Sequence, residues 1–125
     1  MPGPETLHRA YIARVNRVVD HIEANLSGSL TLEELAKVAH FSPFHFHRIF
    51  TAIVGETLAR YVQRQRLERA ANVLISDSEV SVTQVALECG FSSPSTFARA
   101  FKSLFGQPAN EFRNNCEQLR KQGKA

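Results

Sequence analysis

The stretch Val82-Thr83-Gln84-Val85-Ala86-Leu87-Glu88-Cys89-Gly90-Phe91-Ser92-Ser93-Pro94-Ser95-Thr96-Phe97-Ala98-Arg99-Ala100-Phe101 decides the fold. Two short amphipathic runs meet at Gly90. Ser93-Pro94 opens the second, with a capping hydroxyl followed by a ring whose fixed φ suits the first helical position. A short helix, a turn and a second helix started in this way make a helix-turn-helix. Gly106 ends the second helix, and Pro108 opens another that carries Phe112.

The same plan occurs earlier in the chain. Ala36, Phe41 and Ser42 match Ala86, Phe91 and Ser92 at a shift of 50 (Phe41 to Phe91). Phe46, Arg48, Phe50, Gly55 and Tyr61 match Phe97, Arg99, Phe101, Gly106 and Phe112 at a shift of 51 (Phe46 to Phe97). One residue has been added beside the turn. An internal repeat of this kind means two copies of one supersecondary unit, each presenting its second helix outward.

Around the copies, Leu7, Tyr11, Val15, Val18, Val19, Ile22 and Leu26 recur at helical spacing and predict a first amphipathic helix. Thr31-Leu32-Glu33-Glu34 and Ser81-Val82-Thr83-Gln84 are capping boxes at matching places, in which the hydroxyl accepts from a backbone N–H and the Glu or Gln reaches back. His40 stands where Gly90 stands, so the first turn asks a His to take positive φ. From Thr57 to Ser76 no breaker intervenes, which predicts a helix of roughly 30 Å, close to the roughly 34 Å between successive major grooves on one face of B-DNA. Beyond Arg113 the chain is polar and basic and reads as a helix end followed by a linker or frayed tail. The expected fold is all-α with about seven helices: a first helix-turn-helix subdomain over 1–56, a linker helix over 57–76, a second subdomain over 77–113 and a polar tail or linker over 114–125.

Composition sets bounds on function. The 125 residues suffice for one domain or two very small ones, and 43% hydrophobic residues can fill a core. Fifteen Lys and Arg against 12 Asp and Glu, with a pI near 9.2, permit a polyanionic partner. Cys89 and Cys116 form no disulfide framework and no Cys-x-x-Cys pair. Met1-Pro2-Gly3-Pro4-Glu5 lacks the regions of a signal peptide, and no apolar run approaches the roughly 18 residues of a membrane span. A cytoplasmic, nucleoid-associated protein without membrane contact is expected.

On the helix from Pro43 to Val54, Phe46, Ile49, Phe50 and Ile53 form the inward stripe, which leaves Phe44, His47, Arg48 and Thr51 outward. In the second copy Phe97, Ala100, Phe101 and Leu104 go inward and Ser95, Ala98, Arg99 and Lys102 outward, with Thr96 at the edge. Arg48 and Arg99 hold equivalent outward positions, where a guanidinium can give two hydrogen bonds to guanine O6 and N7. Phe44 has two readings: contact with a thymine methyl or sugar edge, or a hydrophobic cap folded onto the domain. His47, Ser95 and Thr96 can donate to bases or to phosphates. Arg60, Arg64 and Lys102 are placed for phosphates, as are the helix starts at Thr31, Ser42, Ser81 and Ser93 with their free N–H groups.

Other chemistry finds little support. His45 and His47 point to nearly opposite sides of one helix, and no acid or thiol completes a metal set with His40. There is no phosphate-binding glycine loop, nucleophile elbow or H-E-x-x-H, so neither a cofactor nor an enzyme is expected. Two further readings stay open: a helical adaptor for another protein, and the DNA-binding fragment of a larger ligand-responsive regulator.

Gly90-Phe91-Ser92-Ser93-Pro94-Ser95-Thr96-Phe97-Ala98-Arg99-Ala100-Phe101-Lys102, with Phe105-Gly106, Pro108 and Phe112-Arg113, closely resembles the signature of the AraC/XylS family of bacterial transcription regulators. Leu32, Leu35-Ala36, Phe41-Ser42-Pro43, Phe46, Arg48, Phe50, Gly55, Arg66-Leu67 and Ala70 look like the first half of that domain. The resemblance implies two helix-turn-helix units joined by a long helix, reading adjacent major-groove segments of double-stranded DNA as a monomer. It also implies activation through RNA polymerase. It places base contacts at Phe44, His47 and Arg48 and at Ser95, Thr96 and Arg99. His47, Pro94 and Ser95 depart from the glutamine-type readers of some members, so no operator sequence carries over.

Overall fold

The computed structural model describes residues 4–123; the first three residues of the expected first subdomain and the last two of the expected tail lie outside them. Seven helices and no strand occur among the described residues. They are α1 (Pro4–Ala24), α2 (Leu32–Val38), α3 (Pro43–Val54), α4 (Leu58–Ser76), α5 (Val82–Glu88), α6 (Pro94–Phe105) and α7 (Ala109–Gly123). The offset between α2 and α5 is 50 residues (Leu32 to Val82), and that between α3 and α6 is 51 (Pro43 to Pro94), so the extra residue does sit in the second turn.

Each short helix starts where its cap predicts. The hydroxyls of Thr31, Ser42, Ser81 and Ser93 accept from the backbone N–H of Glu34, His45, Gln84 and Thr96 at 3.0–3.3 Å. The returning half of each capping box is diverted. The Glu34 carboxylate takes the Ser29 hydroxyl at 3.5 Å, and the Gln84 amide donates to Glu88 at 3.0 Å. Both side chains find partners beside them that compete with the backbone N–H of the cap.

The two turns are built alike. His40 N–H donates to Lys37 O and Phe41 N–H to Ala36 O, at 3.1 and 2.9 Å; Gly90 N–H donates to Leu87 O and Phe91 N–H to Ala86 O, at 3.2 and 3.1 Å. This is the Schellman pattern, in which a left-handed residue lets the chain reverse and satisfy the last helical carbonyls. The left-handed residue is His40 at φ 59° in the first copy and Gly90 at φ 96° in the second.

The chain divides into two compact units, Met1–Gln63 and Arg64–Ala125. The first core gathers Val15, Val18, Ile22, Leu35, Phe46 and Phe50, together with Leu58, Tyr61 and Val62 from the start of α4. The second gathers Val85, Ala86, Phe97 and Phe101 with Leu67, Ala70, Ala71 and Leu74 from the rest of α4. Helix α4 therefore has no core of its own and contributes a wall to each. An aromatic ladder is duplicated in register. Phe46–Phe50–Tyr61 have centroids 5.6 and 5.6 Å apart, and Phe97–Phe101–Phe112 have centroids 5.5 and 5.3 Å apart. Such buried rings, at roughly 1.5–3 kcal/mol each, fix which face of α3 and α6 points inward.

Two expectations are corrected. Leu104 is 43% exposed and lies at the rim. Phe105 takes its place, stacking on Phe101 and Phe112 at 4.5 and 5.3 Å. The chain beyond Arg113 is helix to Gly123 and not a tail. Phe112 and Cys116 extend the half-buried face begun by Ala109, and the Arg120 guanidinium donates to Ile75 O at 2.8 Å. The polar residues between them are mostly good helix formers.

Candidate nucleic-acid interface

The inward stripe leaves one outward face on α3 and one on α6. Phe46 and Phe50 are fully buried while Phe44, His45, His47 and Arg48 are exposed; Phe97 and Phe101 are buried while Ser95, Ala98, Arg99 and Lys102 are exposed. Arg48 is the fifth residue after Pro43, and Arg99 the fifth after Pro94. The sequence assigned both to this face, and both stand there. Neither helix contains an acidic residue, although the chain has 12, so neither outward face repels a phosphate backbone.

Phe44 is 70% exposed, so its ring does not fold onto the domain as a hydrophobic cap. Instead the guanidinium of Arg48, one turn later, lies over its ring with Cζ 5.8 Å from the centroid. That distance is within the range of a cation–π contact. His47 is exposed beside them, and its carbonyl accepts from the Thr51 hydroxyl at 2.8 Å.

The second face is drawn together differently. Thr96 is half-buried, and its hydroxyl is 2.9 Å from that of Ser93, so its side chain belongs to the helix cap. Ser95 and Arg99 carry the exposed polar groups of this face together with Lys102. Of the residues assigned to phosphates, Thr31, Ser42 and Ser81 are exposed and Ser93 half-buried, each engaged in capping. Arg60 has 80% of its side chain exposed and sits 3.8 Å from Glu56, a weak pair that a phosphate can displace. Arg64 is held more firmly, 3.0 Å from Glu68.

One residue that supports this surface was not anticipated. Arg14 of α1 donates from Nε to Ala39 O at 2.7 Å and from Nη2 to His40 O, with its guanidinium 3.7 Å from the Phe41 centroid. It clamps the turn that aims α3. In the second unit Arg113 donates to Val80 O at 2.5 Å and to Ser78 O at 3.5 Å, ahead of α5. No local pattern announces Arg14, because its partners lie 25 and 26 residues away.

A family model described as a helix-turn-helix domain matches residues 35–115, from within α2 into α7. The probable transcription factor PqrA of Proteus vulgaris is 35% identical over 103 residues, covering 81% of this chain and 84% of PqrA. An AraC-type transcriptional regulator from Chromobacterium violaceum superposes with a TM-score of 0.78 at 27% identity, covering 85% of this chain and 94% of that one.

The chain belongs to the AraC-type helix-turn-helix family of transcription regulators.

A further solved structure is similar in fold. The DNA-binding domain of AdpA, a global transcriptional factor solved in complex with a target DNA, superposes with a TM-score of 0.78 at 26% identity, over 90% of this chain and 98% of that one. Several relatives are much longer: the chain spans 35%, 46% and 41% of three that are 34–35% identical to it. Among the described residues no helix is long and apolar enough to cross a membrane.

Proposed function

We propose that this chain binds double-stranded DNA sequence-specifically, placing α3 and α6 in adjacent major-groove segments of an asymmetric site. The observation that carries this reading is the pair Arg48 and Arg99: exposed, equivalent in the repeat and one turn into helices free of acidic residues. Phe44, His47 and Arg48 read bases from α3; Ser95 and Arg99, with Thr96 at the cap, read them from α6. Arg60, Arg64, Lys102 and the capped helix starts at Thr31, Ser42, Ser81 and Ser93 hold phosphates. Because the two readers are covalently joined, a monomer suffices and the site need not be palindromic. AdpA's target-DNA complex supports the DNA partner. Activation through RNA polymerase rests on family resemblance.

The test is selection of binding sites from a random duplex pool with the purified chain. Enrichment of one asymmetric motif is expected, with Arg48→Ala and Arg99→Ala relaxing different positions of it. If neither variant altered the selected motif, the two faces would be misassigned.

A further inference from the structure

A groove opens between α1 and α3 beside Arg48. It consists of two adjoining cavities of about 310 and 340 Å³ that share Tyr11, Ile49 and Ala52. Ile12 and Ile53 complete the apolar wall. The nitrogen-bearing side chains at its edges are His8, His45 and Arg48, and among the described lining residues there is no carboxylate. Nothing in the DNA-reading scheme uses the apolar part of this groove.

We propose that the groove binds a small amphipathic carboxylate, with its apolar body against Tyr11 and Ile49 and its carboxylate on the Arg48 guanidinium. Each feature of the site limits the ligand. A forked guanidinium matches the two oxygens of a carboxylate, and an apolar wall beside it favours an acid with a hydrocarbon body. Each cavity taken singly lies at the lower edge of small-molecule sites, about 300–1,000 Å³. Along α3 the row from Arg48 to Ile53 covers only about 7.5 Å at about 1.5 Å per residue, enough for a short alkyl chain or one substituted ring. A docked protein would need about 800 Å² on each side, far more than two turns of one helix supply. A ligand seated here takes the Arg48 fork away from a base, so occupancy and specific DNA binding oppose each other. That coupling rests on the reading of α3 given above, whereas the binding itself does not.

The probe is octanoate, titrated into the full chain and followed by amide NMR, with octanol as the neutral control. Saturable shifts centred on Tyr11, Ile12, Ile49 and Ala52 are expected, with octanol weaker by about tenfold or more. Arg48→Gln should erase the preference for the acid, and Ala52→Leu, which fills the groove, should abolish the shifts while leaving the rest of the spectrum in place. Scattered or unsaturable shifts, equal binding of octanol, or an undiminished acid preference in Arg48→Gln would each overturn the site. On the selected duplex, octanoate should weaken binding by wild type but not by Ala52→Leu; unchanged wild-type affinity at saturating octanoate would overturn the double use of Arg48. A chain that bound no DNA at all would sink the DNA reading alone, since the titration without DNA still judges the groove.

Discussion

The guanidinium of Arg48 lies over the ring of Phe44, 5.8 Å from its centroid, while the ring itself stands 70% exposed on the first turn of α3. The two are one helical turn apart, the spacing at which side chains on a helix meet. The ring limits where an otherwise mobile Arg can swing. Exposed cation–π pairs are worth roughly 0.5–1 kcal/mol, and a bidentate Arg–guanine contact roughly 1–3 kcal/mol. Arg48→Ala should therefore cost about 1–3 kcal/mol on the selected site. Phe44→Leu, which keeps the apolar contact but removes the π face, should cost less than about 1 kcal/mol. Titration of both variants by fluorescence anisotropy checks the order; a larger loss from Phe44→Leu would show that the ring is the dominant reader.

Phosphate contacts have a different signature. Arg60 is highly exposed and only loosely paired to Glu56, so Arg60→Ala should weaken specific and random duplexes equally and lower the slope of log affinity against log salt by about one. Arg99→Ala should instead lower the ratio between the two duplexes. Binding isotherms at several salt concentrations separate the cases.

The turns make a reciprocal stability test. His40 holds φ 59° with a Cβ, and Gly90 holds φ 96° without one. A left-handed conformation costs an ordinary L-residue roughly 1–2 kcal/mol. Gly90→Ala should lose about that much, and His40→Gly should lose nothing or gain up to about 1 kcal/mol, as measured by urea unfolding. A large loss from His40→Gly would mean that the imidazole, and not only the backbone, holds the turn.

Arg14 should be the most sensitive polar residue of the first unit. Its two bonds to the turn carbonyls and its place on the Phe41 ring depend on the planar fork. Hydrogen bonds to charged groups contribute about 1.5–3 kcal/mol, so Arg14→Lys should lose roughly 2 kcal/mol of stability despite keeping the charge. Thermal unfolding of Arg14→Lys against Arg17→Lys, an exposed neighbour, provides the comparison.

Burial pushes the Cys89 thiol up, with Arg69 opposing and Glu88 assisting. The folded state thus holds this proton more tightly than the unfolded chain does. The stability it contributes is complete below the ordinary thiol pKa and is lost as pH rises past that value towards the folded one. Cys89→Ala should flatten the alkaline fall in stability. At neutral pH a thiol reagent should modify the half-buried Cys116 well before Cys89.

Much of this architecture was legible because its signals are local. Thr31, Ser42, Ser81 and Ser93 act on N–H groups three residues ahead, and the two Ser-Pro pairs set both outward helices to the residue. The outward positions of Arg48 and Arg99 followed from helical periodicity against buried phenylalanines. What escaped depended mostly on distant partners, with Thr96 the local exception. Arg14 meets carbonyls far along the chain, Thr96 turns to Ser93, and α7 runs past Arg113 because Arg120 reaches Ile75. Leu104 and Phe105 were both apolar and adjacent, and the rings of Phe101 and Phe112 decide which goes inward.

Two readers acting together on one duplex can be seen most directly by guanine methylation interference on the selected site. Two clusters of interfering guanines should appear about one helical turn, roughly 10 base pairs, apart, one silenced in Arg48→Ala and the other in Arg99→Ala. A single cluster, or two clusters that both respond to the same substitution, would contradict the double-reader account.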